Sequence, residues 1–207
     1  MLPRVLSDLA SVVGGTAKGN PVISGLAIDS RKVTEGDLFV ALKAERDGHD
    51  FIENAAESGA SAALVSKPTT TLPSIFVKDT EGAMSDLARA IRDSFAGEVF
   101  ALTGSQGKTS TRGFLASILT KMVTVSSSGS VLVTQGNLNN HLGVPLTMAR
   151  LRSDHRYALF ELGASAIGEI DHLASIVRPQ ISALLNARAA HLEGFGSLDG
   201  VIEGKGE

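Results

Sequence analysis

At 207 residues, with 43% hydrophobic and 20% charged side chains, the chain is long and apolar enough to bury a core, and its length suits one domain or two. A formal net charge of -3 removes any general attraction to nucleic acid or an anionic membrane, and the lack of cysteine excludes disulfides, thiolate metal sites and cysteine nucleophiles. No apolar run reaches the roughly 18 residues of a membrane span, and Met1-Leu2-Pro3-Arg4 opens onto an acidic, alternating segment rather than a signal peptide, so a cytoplasmic protein is the expectation.

Residues 1–97 read as a small α/β unit. Val5 to Val13 has helical spacing and stops at Gly14-Gly15; Val22 to Ile28 then reads as a strand ending on Asp29-Ser30-Arg31. Leu38 to Leu42 is a compact apolar run that suits a buried strand, and Asp50 is placed to cap a helix over 51–59. Ala62–Val65 and Ile75–Val77 are further strands. Met84, Leu87, Ala88, Ile91 and Phe95 form one helical stripe, which Ala96-Gly97 ends, so a domain boundary is expected there.

From Glu98 onward strand and helix alternate as a partial doubly wound domain with a mostly parallel sheet requires. Val99 to Thr103 reads as a buried strand, Gly104-Ser105-Gln106-Gly107 as a glycine turn, and Phe114, Leu115, Ile118, Leu119 and Met122 show helical spacing just beyond Lys108-Thr109-Ser110. Strand, glycine turn and helix N-terminus form a phosphate cradle: the turn closes backbone N–H groups on an anion, the helix end and Lys108 add positive charge, and the Thr109 hydroxyl suits Mg2+. The glycine of the longer P-loop pattern is replaced by Leu102, so the match is to the short G-x-x-G-K-T form.

A strand at Val123–Val125, a Ser/Gly-rich turn over 126–130 and a helix from Leu142 to Leu151, with Pro145 in its first turn, continue the pattern. Tyr157–Leu162 and Ile181–Asn186 read as strands. Ligands bind beyond the carboxyl ends of parallel strands, which would bring Glu161, Asn186 and His191 toward the phosphate turn. Glu161 follows an apolar strand, where a carboxylate is either salt-bridged for structure or held for function. Asn137, Asn139 and Asn140 either satisfy loop backbone or contact a sugar-peptide, and Ser30-Arg31 is either an ordinary turn or a diphosphate contact.

Eight stretches in order resemble the Mur ligase family. They are 29–31, 36–42, 47–51, 103–109, 136–140, 143–147, 161–164 (Glu-Leu-Gly-Ala) and 190–198 (Ala-His-Leu-Glu-Gly-Phe-Gly-Ser-Leu). The chain departs from the family pattern at Ala44, in a loop one residue shorter than usual, and at Gln106 and Arg188.

The resemblance implies an ATP-dependent amide ligase of peptidoglycan precursor synthesis, joining D-alanyl-D-alanine to UDP-N-acetylmuramoyl-tripeptide through an acyl phosphate. It implies a substrate domain at 1–97, with Ser30 and Arg31 on the uridine nucleotide, and an incomplete ATP domain at 98–207, with no counterpart of the family's C-terminal Rossmann-like domain. Gly104, Ser105, Gln106, Gly107, Lys108, Thr109, Ser110 and Asn186 would hold ATP, and Asn137, Asn139 and Asn140 the second substrate face. Thr109 and Glu161 would ligate Mg2+, and His191 a second ion, with Lys205 if carbamylated. Lys108, His191 and Lys205 are the catalytic candidates. A monomer with no nucleic-acid partner and no membrane insertion is expected. This stretch alone is expected to be inactive, with Lys205 mobile. Two alternatives stay open: a related amide ligase using another amino acid or folate, and a non-catalytic nucleotide-binding module.

Overall fold

The computed structural model describes residues 3–207; Met1 and Leu2, which entered the reading of the N-terminus, lie outside them. The chain divides between Ile91 and Arg92 into two compact units, Met1–Ile91 and Arg92–Glu207. The division falls in the last turn of a helix rather than at Ala96-Gly97. Arg92 already belongs to the second unit, because its guanidinium donates to the carbonyls of Val177 at 2.7 Å and Arg178 at 2.9 Å.

In the first unit β1 (Arg4–Val5) leads into α1 (Leu6–Val12) and β2 (Thr16–Lys18), and β3 (Val22–Ile23) pairs antiparallel with β1. The stretch read as one strand over 22–28 therefore serves two sheets. Ser24 interrupts it, donating its N–H to Gly36, and β4 (Gly25–Ala27) opens the larger sheet. β5 (Asp37–Val40), β6 (Ala62–Val65) and β7 (Ser74–Phe76) follow in parallel, and β2 closes the far edge antiparallel to β7. β5 and β6 are buried along their whole length, as the central strands of a parallel sheet must be. Burial of Phe39, Leu38 and Leu64 contributes about 1.5–3 kcal/mol each. The buried Asp37 is satisfied by the N–H and hydroxyl of Thr34.

The helix expected to start after Asp50 is instead α2 (Ile52–Glu57), preceded by a 3-10 turn over Gly48–Phe51. Asp47, not Asp50, caps that turn, accepting the N–H of His49 at 3.0 Å. α3 (Thr80–Asp93) then carries the predicted apolar stripe, with Met84, Leu87, Ala88 and Ile91 buried.

The second unit contains β8 (Glu98–Thr103), α4 (Lys108–Val125), β9 (Ser130–Val133), α5 (Gly143–Met148) and β10 (His155–Glu161). It continues through α6 (Glu169–Val177), β11 (Ile181–Leu184), α7 (Leu192–Phe195) and α8 (Leu198–Gly206). All four strands are parallel in the order β11-β8-β10-β9. α4 lies on one face, where Leu119 and Val123 pack with Leu102, Tyr157 and Leu159. Ala101 and Thr103 point the other way and share a small cavity with Ile170 and Ala174 of α6.

Three expectations need correction here. Val123–Val125 is the last turn of α4, not a strand: Val123 continues the spacing of Leu115 and Leu119 against the sheet, so packing outweighs the β-preference of valine and threonine. The strand comes later, at Ser130–Val133, after Ser127 and Gly129 turn the chain at positive φ. The stripe read on α4 also splits. Leu115 and Leu119 face the sheet, while Phe114 (72% exposed), Ile118, Met122 and Val125 are exposed. The third correction concerns Lys205, expected to be mobile near the chain end. It sits in α8, which packs on α6 and α7, and is only 2% exposed.

Candidate functional site

β8 delivers the chain to Gly104, and α4 starts at Lys108. Gly107, at φ +80°, makes the turn between them, a conformation costly for any residue with a Cβ. No side chain caps α4, and Thr111 makes the first backbone bond to Gly107. The N–H groups of Lys108, Thr109 and Ser110 therefore stand at the positive end of an 18-residue helix with no intrahelical partner, a ready anion site.

The preceding loop is held from β11's end. Asn186 takes the N–H of Ser105 on its backbone carbonyl at 3.0 Å, and its side chain brackets Gln106, accepting the N–H at 3.1 Å and donating to the carbonyl at 3.0 Å. Ser105 in turn exchanges hydroxyl bonds with the backbone of Arg188, both 2.9 Å. Asn186, expected as a nucleotide contact, straps the loop through these bonds. Lys108 folds back over it, its ammonium 2.6 Å from the Gly104 carbonyl.

Glu161, at the end of β10, is 3% exposed. Its Oε1 accepts from Asn139 Nδ2 at 2.8 Å; its Oε2 lies 3.1 Å from Arg112 Nη1 and 3.4 Å from the Thr109 hydroxyl. Its own N–H donates to the Thr134 hydroxyl at 3.0 Å. The predicted pair Thr109 and Glu161 is therefore brought together, and Asn139 with them. A buried carboxylate oxygen facing a hydroxyl is a hard oxygen donor set of the kind Mg2+ takes with phosphate and water oxygens, so the residues fit that ion. Among the described residues no group of three or more His, Cys, Asp or Glu gathers for a metal.

Arg112 meets Glu161 although no motif in the sequence marks it. The available signal was its place one helical turn beyond Lys108, on the same face of α4. Of the other two asparagines, Asn140 accepts the N–H of Gly143, the first residue of α5, on its side chain, and Asn137 accepts the Asn139 N–H on its backbone carbonyl.

His191 stands at the N-terminus of α7 with φ +53°, a left-handed conformation that costs a β-carbon residue about 1–2 kcal/mol. With Ser165, Ala166 and Gly194 it lines an open cleft of about 600 Å³. Lys205 donates to the Ala164 carbonyl at 3.2 Å, and its ammonium lies 5.1 Å from the Phe195 ring centre. Burial pushes its pKa down, and the charge of nearby Lys108 pushes in the same direction.

Ser30 and Arg31 lie in the first unit, in a 3-10 turn over Ser30–Lys32. Ser30 is buried. Arg31 is 85% exposed at its side chain and forms a two-pronged pair with Asp29 at 2.9 and 2.8 Å. Those hydrogen bonds hold the Asp29 carboxyl down at about 2.

Residues 102–207 match the family model for the Mur ligase middle domain, and residues 22–92 that for the Mur ligase family catalytic domain. The chain is similar to the UDP-N-acetylmuramoyl-tripeptide--D-alanyl-D-alanine ligase of Escherichia coli K12, 46% identical over all of this chain and 45% of that protein. The enzyme of the same name from Bacillus subtilis is 37% identical over 99% of this chain and 46% of its own length. A crystal structure of MurF from Acinetobacter baumannii superposes with a TM-score of 0.88 at 38% identity, covering 98% of this chain and 45% of that one. MurF ligase from Thermotoga maritima, solved in complex with ADP, gives 0.75 at 36% identity, covering 87% and 42%. The chain spans less than half the length of these relatives. With a family model over half its length, this chain belongs to the Mur ligase family.

Proposed function

We propose that these residues are the UDP-substrate and ATP-binding part of a ligase that adds D-alanyl-D-alanine to UDP-N-acetylmuramoyl-tripeptide. The observation that carries this reading is the phosphate turn of Gly104–Ser110 set beside the buried Glu161, in a chain similar over its whole length to enzymes of that name. Phosphoryl transfer asks mainly for positioning and charge neutralisation. The free N–H groups at the start of α4 would receive phosphate oxygens, and Lys108 would exchange the Gly104 carbonyl for the terminal phosphates. Thr109 and Glu161 would hold Mg2+, which supplies charge neutralisation between the phosphates.

Asn186 and Ser105 keep the turn closed before nucleotide arrives, so little ordering remains to be done on binding. His191 faces the cleft in which the carboxylate to be activated would lie. Lys205 fits the carbamylation expected of it: a buried amine with a lowered pKa has a larger neutral fraction, and its lone pair attacks CO2 with loss of one proton to give a carbamate. Ser30 and Arg31 of the first unit would meet the uridine diphosphate, with Arg31 moving from Asp29 to the phosphates.

The test is to incubate the full enzyme carrying this chain with ATP, Mg2+, UDP-N-acetylmuramoyl-tripeptide and D-alanyl-D-alanine and to follow pentapeptide by mass spectrometry. Product is expected, and Lys108→Ala should reduce its rate by at least about a hundredfold, as loss of a preorganised charge donor does. Absence of product with D-alanyl-D-alanine, but product with another amino acid, would contradict the reading.

A further inference from the structure

The buried carboxylate of Glu161 already has a cation. Arg112, on α4, places Nη1 3.1 Å from Glu161 Oε2 and 3.0 Å from the carbonyl of Gly136, and both side chains are largely withdrawn from solvent. Oε2 is also the oxygen that faces the Thr109 hydroxyl at 3.4 Å. The other oxygen is engaged by Asn139. The guanidinium therefore uses the same carboxylate atom that a cation held by Thr109 and Glu161 would need, and it ties that atom to the loop carrying Gly136 and Asn139.

We propose that Arg112 is a counter-cation of Glu161 that competes with the divalent ion for its carboxylate and clamps the 135–140 loop until the ion displaces it. Two positive charges cannot share one buried carboxylate oxygen without strong repulsion, because the interior screens them weakly. Arrival of a divalent ion at Glu161 must push the guanidinium away. Its hydrogen bond to Gly136 goes with it, and the loop loses that tie while keeping the one from Asn139 to the other carboxylate oxygen. Metal binding is thereby coupled to freedom of a loop whose Asn139 also touches Glu161. Arg112 is a positioning residue in this scheme, acting through Glu161 and Gly136.

The inference rests on Thr109 and Glu161 being metal ligands, so the experiment separates the two. Mn2+ with ADP is titrated into wild type, Arg112→Gln and Arg112→Lys by electron paramagnetic resonance at about pH 8, and amide exchange over 135–140 is followed by mass spectrometry. Removing the competing charge should tighten Mn2+ binding about tenfold in Arg112→Gln, while Arg112→Lys, which keeps the charge, stays near wild type. Exchange over 135–140 should rise in wild type when Mn2+ and ADP are added, and should already be raised in Arg112→Gln without them. Mn2+ affinity unchanged or weakened in a folded Arg112→Gln would overturn the competition. If that variant does not fold, unchanged exchange in metal-loaded wild type overturns the clamp. No Mn2+ binding to wild type overturns the metal reading together with the inference.

Discussion

The side chain of Asn186 brackets the peptide unit of Gln106, accepting its N–H at 3.1 Å and donating to its carbonyl at 3.0 Å. One amide thereby fixes the middle of the phosphate turn from a neighbouring strand. Because those bonds set the loop's shape before ligand arrives, Asn186→Ala should weaken nucleotide binding about tenfold, or about 1.4 kcal/mol, with unfolding little changed. Isothermal titration with ADP checks it. Wild-type affinity in the variant would mean that the glycines hold the turn unaided.

Lys205 gives a pH dependence. Its folded-state pKa lies below the usual 10.5, chiefly through burial, with Lys108 adding to the effect and Glu169 opposing it. The unfolded chain binds that proton more tightly, so this group's contribution to stability rises with pH from the folded-state value up to about 10.5. Lys205→Met should unfold at the same temperature as wild type or higher near pH 7, and the gap should close toward pH 10. Thermal melts across that range decide it; a variant less stable throughout would show that the Ala164 carbonyl and Phe195 ring outweigh desolvation.

Gly194 has no room for a side chain. A Cβ there would lie 2.1 Å from the Ser165 carbonyl, a backbone atom that cannot turn aside. Gly194→Ala should cost about 1–3 kcal/mol by overpacking and distort the cleft beside His191. Urea denaturation measures the first effect.

His49 ties two loops of the first unit together. Its Nδ1 lies 2.6 Å from Asp47, and its Nε2 accepts the N–H groups of Ser66 and Lys67 at 3.0 and 3.2 Å. The Nε2 lone pair is occupied, so the ring proton sits on Nδ1, an assignment made from the partners. His49→Ala leaves both N–H groups without this acceptor and should cost about 1–3 kcal/mol in urea denaturation. His49→Gln, which keeps an acceptor, should lose less.

These residues show what the sequence made legible and what it did not. The phosphate turn could be read because its chemistry is local: Gly104, Lys108 and Thr109 do their work within a few residues of one another. The buried strands at 38–40 and 62–65 were legible from unbroken apolar runs. The contacts of Arg112 and the strap made by Asn186 are not legible in the sequence because they depend on partners 49 and 80 positions away, at Glu161 and Gln106. Val123–Val125 reads as a strand because residue preference is local, whereas the packing of Val123 on Leu102 and Tyr157 is not. The burial of Lys205 is not legible for the same reason: Ser197 marks the start of α8, but the groups that cover the lysine, the Ala164 carbonyl and the Phe195 ring, lie 41 and 10 positions away.

On the proposed function, uridine-nucleotide binding falls to the first unit and ATP binding to the second, on separate side chains. Its most direct test is one crossed titration of residues 1–207, with UDP-N-acetylmuramoyl-tripeptide and with ATP and Mg2+, in wild type, Arg31→Ala and Lys108→Ala. Wild type should bind both ligands. Arg31→Ala should lose at least about tenfold for the UDP-linked substrate alone, and Lys108→Ala at least about tenfold for ATP alone, as removal of a charged phosphate contact predicts. Failure of wild type to bind either ligand, or loss of both ligands in both variants, would contradict it.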